Sequence, residues 1–467
     1  MSESVRRCWA QSKVYRVLLI VALVYTVLRL AIHGVYLGMM LAPSADGESD
    51  LPEWTEAEGP MIPADLQIYL NAARHFQQRE GLYLQGPLTR LEDHYPYAPI
   101  FALFFVPFLS LSPVVVTVVH TLLHIAAYVM LFIWWGRIFR RMGLDRAALA
   151  LAWTLPLWPV FAAFWGDLGY LNIYLPMALL GTWFIEAVLS ERLGWALLWL
   201  SIIVQIKPHW AFALAVPLFL GRFRFFFKLA GLAVLVYVIV FGLLVTITGP
   251  EYILTQYGEY VQFLGRLSRD FPWRESSAPF LGYNHSVRQV IYYVLGRSPL
   301  TRILATAFKV LLLLPLAFAG LHHLLRPVRQ PGFEVPRLGL DWAFALYLGA
   351  FIWLDMVWEV SLGLVVFVYL LAVVERRGVR ALLWGVFMPY VFVDLIQAAS
   401  FAVWGMSVVA PGPYVLTDPS IYVPVILIAI LTFYAVLVGR LWRGAREPVV
   451  EVGRDDGTGN VPAFANG

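Results

Sequence analysis

The sequence predicts an all-α, polytopic membrane protein, and three observations carry that expectation. Hydrophobic residues make up 60% of the chain and charged residues 14%, with a mean hydropathy of +0.72; a soluble domain carries about 25% charged residues. The apolar residues come in long runs such as Val17–Leu30, Leu229–Val245 and Ile421–Val438, close to the roughly 20 residues that span a hydrocarbon core as a helix. Lysine and arginine collect in the short segments between runs. Backbone polar groups in lipid must be satisfied within the segment, so these runs are helices and not open sheet.

The elements follow in chain order. Arg6, Arg7, Lys13 and Arg16 precede an apolar stretch reaching Met40. That stretch is too long for a signal-peptide core and lacks a small-x-small cleavage site, so it is expected to be a retained first helix. Basic clusters at Arg6–Arg16, Arg137–Arg146, Arg222–Lys228, Arg326–Arg337, Arg376–Arg380 and Arg440–Arg446 are placed in the cytoplasm by the positive-inside rule. Both termini are then cytoplasmic, and about 12 crossings are expected. Two large loops, 42–97 and 250–298, fall outside, with shorter outer segments at Gly166–Tyr170, around Pro208 and at Val408–Pro419. Ile100–Trp135 is long enough for two helices but has room for one net crossing, so Ile100–Leu111 is expected to be re-entrant or short. The integral membrane domain is thus residues 1–446, and the polar, Gly-rich stretch 447–467 is expected to be a disordered cytoplasmic tail. No internal repeat is evident.

The formal charge of +4 is a topology signal and not a nucleic-acid one, because the cations lie between apolar runs. With one cysteine, Cys8, no disulfide framework is possible. Neither a glycine-rich phosphate loop nor a dinucleotide fingerprint is present. His120 and His124 lie one turn apart without a third ligand, and no metal or other cofactor is expected. Asp394 and Gln397 share a helix face and are read as contacts between helices.

The first outer loop opens on an acidic coil (Asp46, Glu48, Asp50, Glu53, Glu56, Glu58) and continues into a helical pattern. Leu66, Tyr69, Leu70, Ala73 and Phe76 fall on one face, with Arg74, Gln77 and Gln78 on another. The expectation is a short amphipathic helix lying in the membrane interface, with Asp65 at its start, where a carboxylate is favourable. The second outer loop carries Tyr252, Tyr257, Tyr260, Phe271, Trp273, Phe280 and Tyr283 among Arg266, Arg269, Arg274 and Arg288. Aromatics of this density suit the headgroup layer or stacking on a sugar.

Several short motifs, taken in order, resemble glycosyltransferase family 87, a GT-C superfamily group of polyprenyl-phosphate-mannose-dependent mannosyltransferases. They are Asp65-x-x-x-Tyr69, then Gly81-Leu82-Tyr83, then Tyr95-Pro-x-x-Pro-Ile-Phe-Ala-Leu103. Ile206-Lys207-Pro208 resembles the family's Lys-x-x-Pro region, and Asn284-His285-Ser286-Val287 its Asn-Gln-Ser-Leu, with His for Gln. Trp358-Glu359 resembles its Ser-Trp-Glu-His, although Val360 stands where the His would be. Gly166-Asp167-Leu168-Gly169 stands in the place of its Gly-Gln-x-Asn. The resemblance covers most of the membrane region and implies a GT-C fold. It implies a cell-membrane enzyme with an extracytoplasmic site that moves a sugar, mannose first among candidates, from a polyprenyl phosphate to a glycolipid or glycan. By position, it makes Asp65 the catalytic acid–base residue.

The chemistry needs few groups. The lipid phosphate departs as a stable anion, while the acceptor hydroxyl needs a general base within hydrogen-bond reach. One carboxylate suffices for an inverting displacement, unlike glycoside hydrolysis. The departing phosphate requires fixed cations or donors, for which Lys207, Arg288, His285 and His209 are the candidates. A charge such as Lys207 within Ile202–Leu220 is expensive in lipid and marks function by default, although it could instead snorkel to the interface. Tyr69, Tyr95, Asn284, Trp358 and Glu359 are candidate sugar or acceptor contacts. Asp65 as a simple helix-start carboxylate and Arg288 as a headgroup anchor are the plainer alternatives. A lipid or glycan transporter, or a non-catalytic scaffold on the same fold, are the rival functions.

Overall fold

The computed structural model of the chain describes residues 3–41, 62–83, 95–270, 284–325, 334–355, 357, 360–393, 395 and 419–444. The acidic coil, the aromatics Phe271, Trp273, Phe280 and Tyr283 with Arg274, the tail, and the residues Trp358, Glu359, Asp394 and Gln397 lie outside the described residues.

Every regular element among the described residues is helical. Helix α1 (Glu3–Gln11) leads into α2 (Lys13–Leu41). Next come α3 (Ala64–Gln78), α4 (Pro99–Phe105) with a 3-10 extension to Ser110, α5 (Pro113–Arg141), α6 (Asp145–Trp153), α7 (Ala162–Tyr170), α8 (Tyr174–Leu189) and α9 (Leu193–Ile206). A 3-10 segment (Pro208–Ala215) runs into α10 (Val216–Phe219), followed by α11 (Phe223–Thr248), α12 (Pro250–Asp270) and α13 (Val287–Leu295). The remaining helices are α14 (Pro299–Leu325), α15 (Glu334–Trp353), α16 (Gly363–Val373), α17 (Arg377–Val391) and α18 (Pro419–Gly444).

Among the described residues, six helices are long and apolar enough to cross a membrane, and seven if α6 and Leu155–Tyr170, bent by 48° at their junction, form one broken span. This is a multi-pass membrane protein. The exposed side chains of α2, α11 and α14, among them Val17, Leu28, Val238, Ile247, Leu311 and Phe318, are the surface that lipid covers. Pro99–Ser110 is a short apolar segment of its own and not part of α5, as its length led us to expect.

Two findings revise the reading of the outer loops. The apolar face of α3 carries Leu66, Tyr69, Leu70, Ala73 and Phe76 as the spacing indicates, all buried. It packs on protein, with Tyr69 stacked edge-on to Phe101 at 5.2 Å and Phe76 against Tyr252 at 5.8 Å, so it is not an interfacial helix resting on lipid. The first part of the second loop is likewise a 21-residue helix, α12. Its Gln256 side chain accepts the Leu82 N–H at 2.8 Å, and its Tyr252 hydroxyl donates to the Glu80 carbonyl at 3.0 Å. Tyr260 and Phe263 pack on Tyr83 at 5.6 and 5.7 Å. The two loops form one layer.

At one end of α8 a charged network ties the bundle together. Arg141 pairs with Glu186, and Arg222 donates to the Leu189 carbonyl at 3.0 Å. On the same side, Asp341 of α15 receives Arg440 of α18 through Nε at 3.0 Å and a terminal nitrogen at 2.9 Å. The Tyr369 hydroxyl donates to the same carboxylate at 2.9 Å.

Candidate active site

The opposite end of α8 carries the residues of chemical interest. Asp65 is the second residue of α3, whose N-cap is Pro63 with no side-chain capping bond. The Lys207 ammonium and the Asn172 side chain both favour the charged form of Asp65. The residue keeps part of its surface accessible while protein encloses it closely. Burial raises its carboxyl to about 6, against the lowering pull of Lys207 and Asn172.

Lys207 is where it is because of Pro208. A residue before proline is driven out of the helical region, and Lys207 adopts φ −135° and ψ 88°, ending α9 at Ile206. The chain then re-enters the bundle as a 3-10 turn anchored by Trp210, which lies against Gly181 so closely that a Cβ there would meet the ring at 2.9 Å. The Lys207 side chain, 8% exposed, points inward. Its Nζ lies 3.6 Å from the centre of the Tyr174 ring and 5.1 Å from that of Tyr97. A cation over an aromatic face gains about 0.5–2 kcal/mol, which offsets part of the burial that lowers this ammonium to about 7.

Asp167 completes the group. Its side chain is wholly buried, and its two oxygens accept the N–H groups of Tyr174 and Leu175 at 3.1 and 3.0 Å. These are unsatisfied donors of the first turn of α8, where a carboxylate is favourable. His124 Nε2 lies 3.6 Å from Asp167 and also contacts the Asn172 carbonyl, while Nδ1 contacts the His120 carbonyl at 2.6 Å. Lys207 feels both Asp65 and Asp167. Two acidic side chains thus act on one lysine, and burial raises the Asp167 carboxyl well above its usual range. Among the described residues no group of three or more His, Cys, Asp or Glu is arranged to hold a metal.

The other candidates divide between walls and a second cluster. Tyr69 is fully buried under Asp65, its hydroxyl 3.0 Å from that of Tyr97. Tyr95 is buried too, donating to the Ala98 carbonyl at 3.1 Å and packed on Tyr83 and Tyr97. Both build the wall of the site and show almost no surface. His209 is half-buried beside Trp210, two residues past Lys207.

The second cluster joins the start of α13 to the end of α15. The Asn284 side chain donates to the Asp355 carbonyl at 2.8 Å and accepts from Ser286 and Val357 N–H groups at 3.1 and 3.0 Å. It is a clasp between two chain segments. The His285 N–H donates to Val357 at 2.8 Å, and burial holds the His285 imidazole down at about 3, so it is neutral. Arg288 pairs with Asp355 at 2.8 Å, and Lys309 of α14 pairs with the same carboxylate while donating to the Trp353 and Leu354 carbonyls at 2.8 and 3.2 Å. Here two cations share one carboxylate, the reverse of the Asp65 cluster.

Asp167, Asn172, His124 and Lys309 were not among the residues singled out from sequence as site candidates. No family model, no curated protein and no solved structure matches this chain.

Proposed function

We propose that the protein is a GT-C-type membrane glycosyltransferase. On this reading it moves a sugar, mannose first among candidates, from a polyprenyl phosphate to a glycolipid or glycan on the extracytoplasmic face. The observation that carries the reading is Asp65: a carboxylate raised to about 6 and partly accessible. A general base works best with a pKa near the operating pH. Asp65 takes the proton of the acceptor hydroxyl as its oxygen attacks the anomeric carbon. The bond from that carbon to the phosphate oxygen breaks on the far side, the configuration inverts, and polyprenyl phosphate departs with the electron pair. Arg288 and Lys309 meet at Asp355, a gathering of cations that suits the phosphate; Lys207 suits the base. His285, neutral, can donate a hydrogen bond but adds no charge.

The short helices support a site that lipid-borne substrates reach. Helices α8 and α9 have 16 and 14 residues; at 1.5 Å per residue they span about 24 and 21 Å, less than a hydrocarbon core of about 30 Å. Counting α6–α7, α8, α9, the 3-10 segment with α10, α16 and α17 beside the six long helices yields about 12 crossings in the topology that charge bias favours. The site then lies at the extracytoplasmic end, sunk below the membrane surface, and the acceptor and the prenyl chain enter from the bilayer.

The test is transfer from radiolabelled polyprenyl-phosphate mannose to host glycolipids in membranes holding the protein, against membranes holding Asp65→Asn at matched amount. Loss of at least a hundredfold is expected, the usual order for removing a general base. Undiminished transfer by the variant contradicts the role of Asp65, and no transfer by the unaltered protein contradicts the enzyme class.

A further inference from the structure

Resting on that reading, we infer that Arg302 and Tyr292 bind the phosphate of the polyprenyl donor at the seam of α13 and α14, next to the cations at Asp355. Those cations do not complete a phosphate site. Lys309 donates to the Trp353 and Leu354 carbonyls and to the Asp355 carboxylate, which uses the three N–H groups an ammonium has. It offers an anion charge and no hydrogen bond. Arg288 commits one terminal nitrogen to Asp355 at 2.8 Å. A phosphate placed here requires further donors, and the same seam holds two unmatched polar atoms. The Arg302 Nε and the Tyr292 hydroxyl are buried without a hydrogen-bond partner, and Tyr292 is only 8% exposed. A buried polar group left unmatched costs on the order of a tenfold factor in an equilibrium.

Helix spacing brings the four side chains to one side. Tyr292 follows Arg288 by one turn of α13, and the Arg288 guanidinium carbon lies 5.9 Å from the centre of its ring. Lys309 follows Arg302 by seven residues of α14, which is two turns on one face and about 10 Å along the axis. The two helices pack on each other and are joined only by residues 296–298, with Gly296 at φ 78° turning the chain. Arg288 and Lys309 both reach Asp355, so the faces that carry them look the same way. Tyr292 and Arg302 lie on those faces, each five residues from Arg297 in the turn, and come abreast.

The seam also stands where a lipid phosphate arrives. In the topology of the proposed function α14 descends from the outer surface, which puts Arg302, in its first turn, at headgroup depth and Lys309 two turns below. Arg302 keeps part of its surface, and Ile303, Leu304, Phe308 and Leu311 of the same helix are exposed. A prenyl chain lying along these apolar side chains brings its phosphate to Arg302 and Tyr292 from the bilayer. An arginine that merely anchors a helix keeps its polar end in water; a buried Nε beside a buried tyrosine hydroxyl is a different arrangement.

The experiment measures binding apart from turnover. Monodisperse protein in detergent is titrated with radiolabelled polyprenyl phosphate, the product that keeps the donor's phosphate, with unlabelled polyprenol or phosphatidylglycerol as competitor. The unaltered protein is compared with Arg302→Gln, Arg302→Lys, Tyr292→Phe and Asp65→Asn. Arg302→Gln is expected to weaken binding about tenfold or more, the order of a hydrogen bond to a charged group, and Tyr292→Phe about fivefold. Arg302→Lys, which keeps the charge, is expected to lie between Arg302→Gln and the unaltered protein. Asp65→Asn is expected to bind as the unaltered protein does, and neither competitor to displace the label at equal concentration. In the transfer assay the loss in Arg302→Gln falls on KM for the donor more than on kcat. Unchanged affinity in either Arg302→Gln or Tyr292→Phe overturns the inference. So does displacement by phosphatidylglycerol, the mark of a general headgroup anchor, or by polyprenol, the mark of a site for the chain alone. If Arg302→Gln does not fold, Tyr292→Phe decides by the same criterion. Transfer reports on the function independently: Arg302-dependent binding without any transfer by the unaltered protein leaves the phosphate site standing and overturns the enzyme. Unchanged affinities with transfer lost only in Asp65→Asn do the reverse.

Discussion

The two ends of α8 carry polar networks of opposite character. At one end Asp341 meets Arg440 in a two-pronged pair, Tyr369 donates to the same carboxylate, and a third Arg440 N–H reaches the Val373 carbonyl at 3.2 Å. One acid, one base and their remaining hydrogen-bonding groups are matched. At the other end Asp65 and Asp167 both act on Lys207, and the Asn172 Oδ1 is buried without a partner. A matched buried network fixes a structure and has no capacity left for a ligand. An unmatched one costs stability and leaves capacity for a ligand.

If this contrast holds, breaking the matched network should damage the fold and breaking the unmatched one the reaction. Asp341→Asn leaves Arg440 buried without its counter-charge, and removing one partner of such a pair costs about 3–5 kcal/mol. A markedly lower thermal midpoint in detergent is the expected outcome, with transfer per folded molecule nearly retained. Lys207→Met should leave the midpoint close to unchanged and lower transfer by tenfold or more, because the departure of the ammonium raises the Asp65 carboxyl and protonates the base. A pH–rate profile whose acid limb lies higher than in the unaltered protein would show this cause. In the unaltered protein the base must be ionised, so with its carboxyl at about 6 transfer should fall about tenfold per unit of pH below that value and level off above it. A flat profile from pH 5 to 7 would separate Asp65 from the rate. Tyr69→Phe removes only the hydroxyl contact to Tyr97 and should change stability by about 1 kcal/mol, read as a small shift in midpoint without a new pH limb.

Much of the fold was legible because the membrane imposes simple rules. Run length located the long helices, and the 3.6-residue period of Leu66, Tyr69, Leu70, Ala73 and Phe76 located the buried face of α3. What covers that face was not legible, since periodicity reports that a face is apolar and not whether lipid or protein meets it. Helix α12 was obscured by its aromatics, although Tyr252, Gln256, Tyr260 and Phe263 stand at helical spacing and are the residues that reach the first loop and Phe76. Lys207 could be singled out because a lysine before proline in an apolar stretch has few structural uses. Lys309 gave the same signal within α14 and was passed over. Asp167 was visible only as a departure from a motif, and Asn172 not at all. Both act through a backbone turn that no side-chain pattern announces.

The most direct test sets the two networks against each other in one experiment. Unaltered protein, Asp65→Asn and Asp341→Asn are purified into liposomes with labelled polyprenyl-phosphate mannose and host glycolipid, and transfer and thermal midpoint are measured on the same samples. The account predicts a crossed result: Asp65→Asn keeps its midpoint and loses transfer at least a hundredfold, while Asp341→Asn loses its midpoint and keeps transfer per folded molecule. Transfer that survives in Asp65→Asn, or that disappears equally in both variants at matched folded protein, would contradict it.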